Sequence, residues 1–160
     1  MREEIENAGN VLSALIFKFE ELTDIALKKK EIILSDDTDS QRLINITTKE
    51  KNITGDLRKI EAALAESFKA LGEIFGEENM NLSGLINRLI DNNEAHKEFR
   101  NKKEKIDELL KRFIDINNTN TSLLNTHADY YRYLFRKLDK SNTYGKENRR
   151  QKINLVSTTA

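Results

Sequence analysis

Ten positions between Leu43 and Ile74 follow one another in steps of three and four: Leu43, Ile46, Glu50, Ile53, Leu57, Ile60, Leu64, Ser67, Leu71 and Ile74. Eight of them are aliphatic, and Phe68 stands beside the one serine. A strand would send these side chains alternately to its two faces, whereas a helix gathers them into a single stripe. The seam is of coiled-coil type, and it needs another helix against which to bury its stripe. A chain of 160 residues without proline lacks the strongest interior helix breaker, and it carries only six glycines. Helix on helix is therefore the expected architecture, in an all-α, antiparallel long-helix bundle or coiled coil.

The same spacing recurs on both sides of this segment. Val11, Leu12, Leu15, Ile16, Phe19, Leu22, Ile25, Ala26, Ile32 and Ile33 predict a first helix over about residues 3–35. The cluster Ser35-Asp36-Asp37-Thr38-Asp39-Ser40 ends it, since these short polar side chains compete for backbone hydrogen bonds. Lys28-Lys29-Lys30 suits the negative end of that helix. The second helix is expected over 39–75, with Asp39 as its N-cap and Gly76 just past its end. Gly55 and Gly72 inside it read as thinning for close packing. Leu82, Leu85, Ile86, Leu89 and Ile90 make a short helix over 82–90, and Asp91-Asn92-Asn93 marks a turn. A last helix is expected over 94–140. Together these form a helical bundle over 1–140, followed by a flexible basic tail over 141–160.

The last helix differs from the second in the quality of its seam. Its row reads Phe99, Lys103, Ile106, Leu110, Phe113, Asn117, Asn120, Leu124, His127, Tyr131, Leu134 and Leu138. Buried amides and charges cost free energy unless paired. The row is thus either a core in which polar residues set register, or a surface built to meet a partner. The aromatic group Tyr130, Tyr131, Tyr133 and Phe135 cannot all face one way, so at least one ring is exposed.

Charge is distributed unevenly along the chain. Residues 1–80 hold 11 Lys+Arg and 17 Asp+Glu, a net of −6, and residues 81–160 hold 16 and 10, a net of +6. A zero overall balance argues against a nucleic-acid binder. No apolar run reaches the roughly 18 residues needed to span a bilayer, so no membrane insertion is expected. The acidic start Met1-Arg2-Glu3-Glu4-Ile5-Glu6 is unlike a secretory signal. The absence of cysteine removes disulfides and thiolate chemistry and fits a cytoplasmic location.

Catalytic chemistry has few residues to draw on. His96 and His127 are far apart, no Glu-x-x-His motif or phosphate-binding glycine loop occurs, and no GxSxG is present. No enzyme activity, metal or cofactor is expected. Lys28–Lys30 and Arg149-Arg150 read as solvated charges more readily than as phosphate contacts.

Leu109-Leu110-Lys111-Arg112-Phe113-Ile114-Asp115-Ile116-Asn117-Asn118-Thr119-Asn120-Thr121-Ser122-Leu123-Leu124 carries a likeness to a known family. Leucines, Asn, two intervening residues, Asn, and leucines again is a pattern of the FlgN-type flagellar export chaperones, and the helix plan of nearly the whole chain resembles theirs. The ending Asn142-Thr143-Tyr144-Gly145-Lys146, with Asn154-Leu155-Val156-Ser157, is similar to the tail found in Gram-positive members. The resemblance implies a chaperone for the C-terminal segments of hook-associated proteins of the FlgK and FlgL type, which prevents their premature association. It also implies delivery to the cytoplasmic domain of an FlhA-type export gate. Carried over, the client-binding residues are Phe113, Asn117, Asn120, Leu124, Tyr131 and Leu134, and the gate-docking residue is Tyr144. The chain is expected as a monomer or weak homodimer. The alternative is a self-associating coiled-coil adaptor whose broken seam pairs with itself.

Overall fold

The computed structural model of the chain describes residues 1–35 and 40–156, with side chains for all of these except 131, 135 and 137–156. Four helices follow in order: α1 over Arg2–Leu34, α2 over Ser40–Phe75, α3 over Leu82–Arg88 and α4 over Asn93–Val156. Among the described residues every regular element is helical, as the 3–4 spacing requires. The chain divides into two units, Met1–Asn120 and Thr121–Ala160.

In the first unit, α1 and α2 run antiparallel. Asn7 Nδ2 donates to Ser67 Oγ at 3.2 Å, Lys18 lies 3.6 Å from Asp56, and Lys29 pairs with Glu50 at 2.7 Å. Rising numbers on one helix thus meet falling numbers on the other. The first part of α4 follows α1 in the same direction. Lys102 Nζ donates to the Gly9 carbonyl and Asn120 Nδ2 to the Ala26 carbonyl, both at 2.9 Å.

The core joins Ala8, Leu12, Leu15 and Leu22 of α1, Leu57 and Leu71 of α2, and Phe99 and Ile106 of α4. Met80, Leu85, Ile86 and Leu89 close it near α3. Phe99, Leu12, Leu71 and Leu85 are almost wholly inaccessible. Each such side chain contributes about 1.5–3 kcal/mol by leaving water. The α2 seam behaves as its spacing requires, with Ile46, Leu57, Ser67 and Leu71 buried and Ile53, Ile60 and Leu64 half-buried. Its last member departs, because Ile74 is exposed. The two polar members have partners: Ser67 accepts from Asn7 and donates to the Ala63 carbonyl, and Glu50 takes Lys29.

The corner between α2 and α3 explains two glycines. Gly76 has φ of +70°, the left-handed value that suits glycine just past a helix end. The Glu77 N–H then returns to the Gly72 carbonyl at 2.8 Å. A Cβ on Gly72 would sit 2.5 Å from the Glu77 carbonyl oxygen, so the return is possible only for glycine. Arg88 reaches back to Glu77, with Nε–Oε1 at 2.7 Å, and clips the loop to α3. The close-packing expectation fails at Gly55, where an added Cβ would meet nothing within 4 Å.

Side-chain caps set the starts of the later helices. Asn81 Oδ1 accepts from the Gly84 N–H at 2.9 Å, and Asn92 Oδ1 from the Ala95 N–H at 3.3 Å. The Asn92 N–H bonds the Leu89 carbonyl at 2.8 Å, so the turn expected at 91–93 forms with α3 ending at Arg88 instead of 90. The cap expected of Asp39 lies outside the described residues. α1 ends at Leu34, close to the expected 35, with Lys28–Lys30 one turn before the last and Lys29 committed to Glu50. Helical backbone in α4 continues past 140 to Val156, where the sequence predicts a tail. Residues 141–156 lack proline and carry a single glycine, Gly145.

Candidate partner-binding surface

The seam of α4 within the first unit is a core seam. Phe99, Ile106, Leu109 and Asn120 are buried, and Leu110, Phe113, Ile116 and Asn117 are half-buried. The sequence row is displaced by one residue at two of its steps. Lys102, not Lys103, turns inward: its side chain is 17% exposed and its Nζ binds both the Gly9 carbonyl and Glu98. Lys103 turns outward to Asp107 at 2.7 Å. Leu109 is likewise more buried than Leu110. A Cβ at Gly9 would stand in ordinary contact distance, 3.5–3.6 Å, of Glu98, Lys102 and Phe99, so it is the Gly9 carbonyl that draws Lys102 inward.

Three of the six expected client-binding residues belong to this first unit. Phe113 packs against the hydrophobic core, and Asn117 is half-buried. Asn120 is 1% exposed, and its amide is committed to the Ala26 carbonyl. Its Oδ1 has no hydrogen-bond partner among the described residues. A buried amide satisfied on one side only favours one helix register over its neighbours, the role that polar seam residues take in coiled coils.

The second unit contains the other three, Leu124, Tyr131 and Leu134. At 100° per residue, Leu123, Leu124, His127, Ala128, Tyr130 and Leu134 share an arc of ~160° on α4. Leu123, Leu124, His127, Ala128 and Leu134 are half-buried, whereas Tyr130 is 59% exposed. Tyr133, about 60° beyond the edge of the arc and nearer its opposite side, is 54% exposed. The opposite side carries Asp129 and Arg132, paired at 2.8 Å, and the exposed Arg136. The side chains of Tyr131 and Tyr144 lie outside the described residues.

Other features of the first unit are less suited to a ligand. A cleft of about 520 Å³ opens between the start of α1 and the start of α4, lined by Ile5 and Phe99 but also by Glu6, Glu94 and Glu98. His96 stands in a shallow groove beside Arg100 and Lys103. Among the described residues no group of three or more His, Asp or Glu is placed to hold a metal ion. No described helix is long and apolar enough to cross a membrane.

Long helices packed through apolar seams, with a large side chain, Tyr130, exposed on the arc that continues along α4, are of the class of all-helical modules that bind other proteins. A model of the FlgN protein family matches residues 1–152. The chain belongs to that family, whose members are flagellar export chaperones. Neither the curated proteins nor the solved structures include a significant match.

Proposed function

We propose that this protein is a cytoplasmic, non-catalytic export chaperone that binds the C-terminal segments of hook-associated proteins of the FlgK and FlgL type. One observation carries the reading: the apolar face of α4 runs on past Asn120 and presents Tyr130 at 59% exposure beside half-buried leucines. An amphipathic client segment laid on Leu124, Tyr131 and Leu134 removes that face from water by the helix-on-helix mode of recognition. Phe113, Asn117 and Asn120 then serve the same surface from the bundle side by holding α4 in register. Binding is stoichiometric, and ordering the client costs part of the interaction energy. Tyr144 is the proposed contact with an FlhA-type export gate, in the basic C-terminal stretch that follows residue 140.

The test is co-purification of the full chain with a hook-associated protein. Leu124→Asp with Leu134→Asp should abolish capture while leaving helicity intact. Unchanged capture removes these residues from the client surface. Tyr144→Ala should spare client capture and weaken retention by the gate's cytoplasmic domain. Retention equal to that of the unaltered chain would remove Tyr144 from gate docking.

A further inference from the structure

Two outer faces of the first unit are opposite in charge and equal in spacing. Phe17, Glu20, Asp24 and Glu31 lie within ~60° of arc on α1, and all four are exposed, Phe17 by 58%. From Glu6 to Glu31 that arc carries four carboxylates and no cation. Gly55, Arg58, Ala62 and Lys69 lie within a similar ~60° on α2 and are exposed as well. From Ile44 to Lys69 that arc carries Lys51, Arg58 and Lys69 and no carboxylate. Both rows step by three, four and seven residues.

The rows also differ in relief. Nothing in this chain comes within 4 Å of a Cβ placed on Gly55, and a notch of about 360 Å³ opens there between Thr47, Lys51, Thr54 and Arg58. The carboxylates beside it are committed, Glu50 to Lys29 and Asp56 to Lys18 and Lys59. Lys51, Arg58 and Lys69 have no ion pair among the described residues. On α1, Glu20 reaches Lys105 at 3.5 Å, whereas Asp24 and Glu31 have no such partner there. Lys18 stands 5.8 Å from the centre of the Phe17 ring, which still protrudes. Each row is centred more than ~100° round its helix from the side chains that join α1 to α2, Asn7, Lys18 and Lys29 with Ser67, Asp56 and Glu50. Within one chain the rows therefore face apart, and they run in opposite directions.

We propose that the acidic outer face of α1 docks on the basic outer face of α2 in a second copy of this chain, with the two helices parallel. Phe17 then enters the Gly55 notch, Glu20 comes level with Arg58, and Glu31 comes level with Lys69. The ring supplies the apolar anchor, while the charge pairs set direction and alignment and each add little. The two faces differ, so the contact is heterologous, and a pair of copies keeps one face of each kind free. One aromatic knob with rim pairs makes a weak, salt-sensitive interface. It uses none of the client-binding residues and stands apart from the chaperone reading.

Sedimentation velocity of the full chain tests this. At low salt the mean mass should rise with concentration, and the rise should shrink as salt screens the pairs. Arg58→Glu with Lys69→Glu makes both faces acidic, and Glu20→Arg with Glu31→Lys makes both basic. Each of these variants alone should associate at least about tenfold more weakly, and an equimolar mixture of the two should regain the association. Gly55→Leu fills the notch with a better helix former, so it should weaken association while helicity holds or rises. A chain that stays monomeric at every concentration in low salt overturns the proposal and leaves the two faces to other proteins. So does association that persists in both charge variants, or a mixture of them that stays monomeric.

Discussion

Phe99–Asn120 and the stretch from Thr121 to Arg136 belong to one helix with one apolar spacing, yet they are built for different tasks. In the first, three inward positions have a named counterpart: Phe99 beside Gly9, Lys102 on the Gly9 carbonyl, Asn120 on the Ala26 carbonyl. In the second, leucines are half-buried and two tyrosines are more than half exposed. The difference teaches that apolar periodicity reports amphipathicity alone. Asn120 is the last buried position among the described side chains of α4.

The largest effect that tests this contrast is the loss of a core ring. Phe99→Ala should cost about 3–5 kcal/mol of unfolding free energy, measured by denaturant titration. Tyr130→Ala should stay within about 0.5 kcal/mol while weakening client capture. Equal destabilisation by the two would erase the distinction between the stretches.

Asn120 offers a sharper probe. Asn120→Asp puts a carboxylate at a site 1% exposed, and burial favours its neutral form, so its folded pKa lies above the unfolded value. A pKa raised on folding lowers stability as pH rises through it. The variant should therefore be destabilised by about 2–3 kcal/mol at neutral pH and should recover toward the unaltered chain near pH ~4. Asn120→Leu should be neutral or slightly stabilising, with altered hydrogen exchange in α4 if register is relaxed. A pH-independent Asn120→Asp variant would show that the site is open to water.

Smaller effects test the frame that holds the first stretch. Gly72→Ala forces a methyl group against the Glu77 carbonyl, and the α2–α3 corner should lose about 1–2 kcal/mol, read as a shift in thermal midpoint. Last comes Lys18, whose pKa is held above its ordinary value near 10.5, chiefly by its hydrogen bond to Glu21 and then by Asp56. Because folding raises this pKa, the contribution is complete below the ordinary value and disappears as pH climbs through the folded one. Lys18→Met should flatten the alkaline limb of the stability profile and leave neutral pH almost unchanged.

Much of this was legible along the chain because each signal was local. The α2 seam, the Gly76 cap and the turn around Asn92 each depend on residues within one or two turns of helix. What escaped depended on a neighbour distant in sequence. Lys102 and Lys103 are equally compatible with the stripe, and only the nearness of Gly9 decides that Lys102 turns inward. Gly55 and Gly72 look alike in α2, yet only Gly72 faces a returning backbone. The candidate surface was half visible. Its leucines follow from spacing, while the assignment of Asn120 to the interior needed the Ala26 carbonyl opposite it.

The sequence by itself determined an all-helical chain with an apolar stripe on each long element, because helix propensity and 3.6-residue periodicity act within a single segment. It also determined the separation of a net −6 first half from a net +6 second half. The tertiary structure alone decided that Asn120 is the last sealed position of the first unit, and that Tyr130 faces water. Burial is a property of pairs of surfaces, and which surfaces meet is settled only when helices distant in sequence compete for the same apolar stripe.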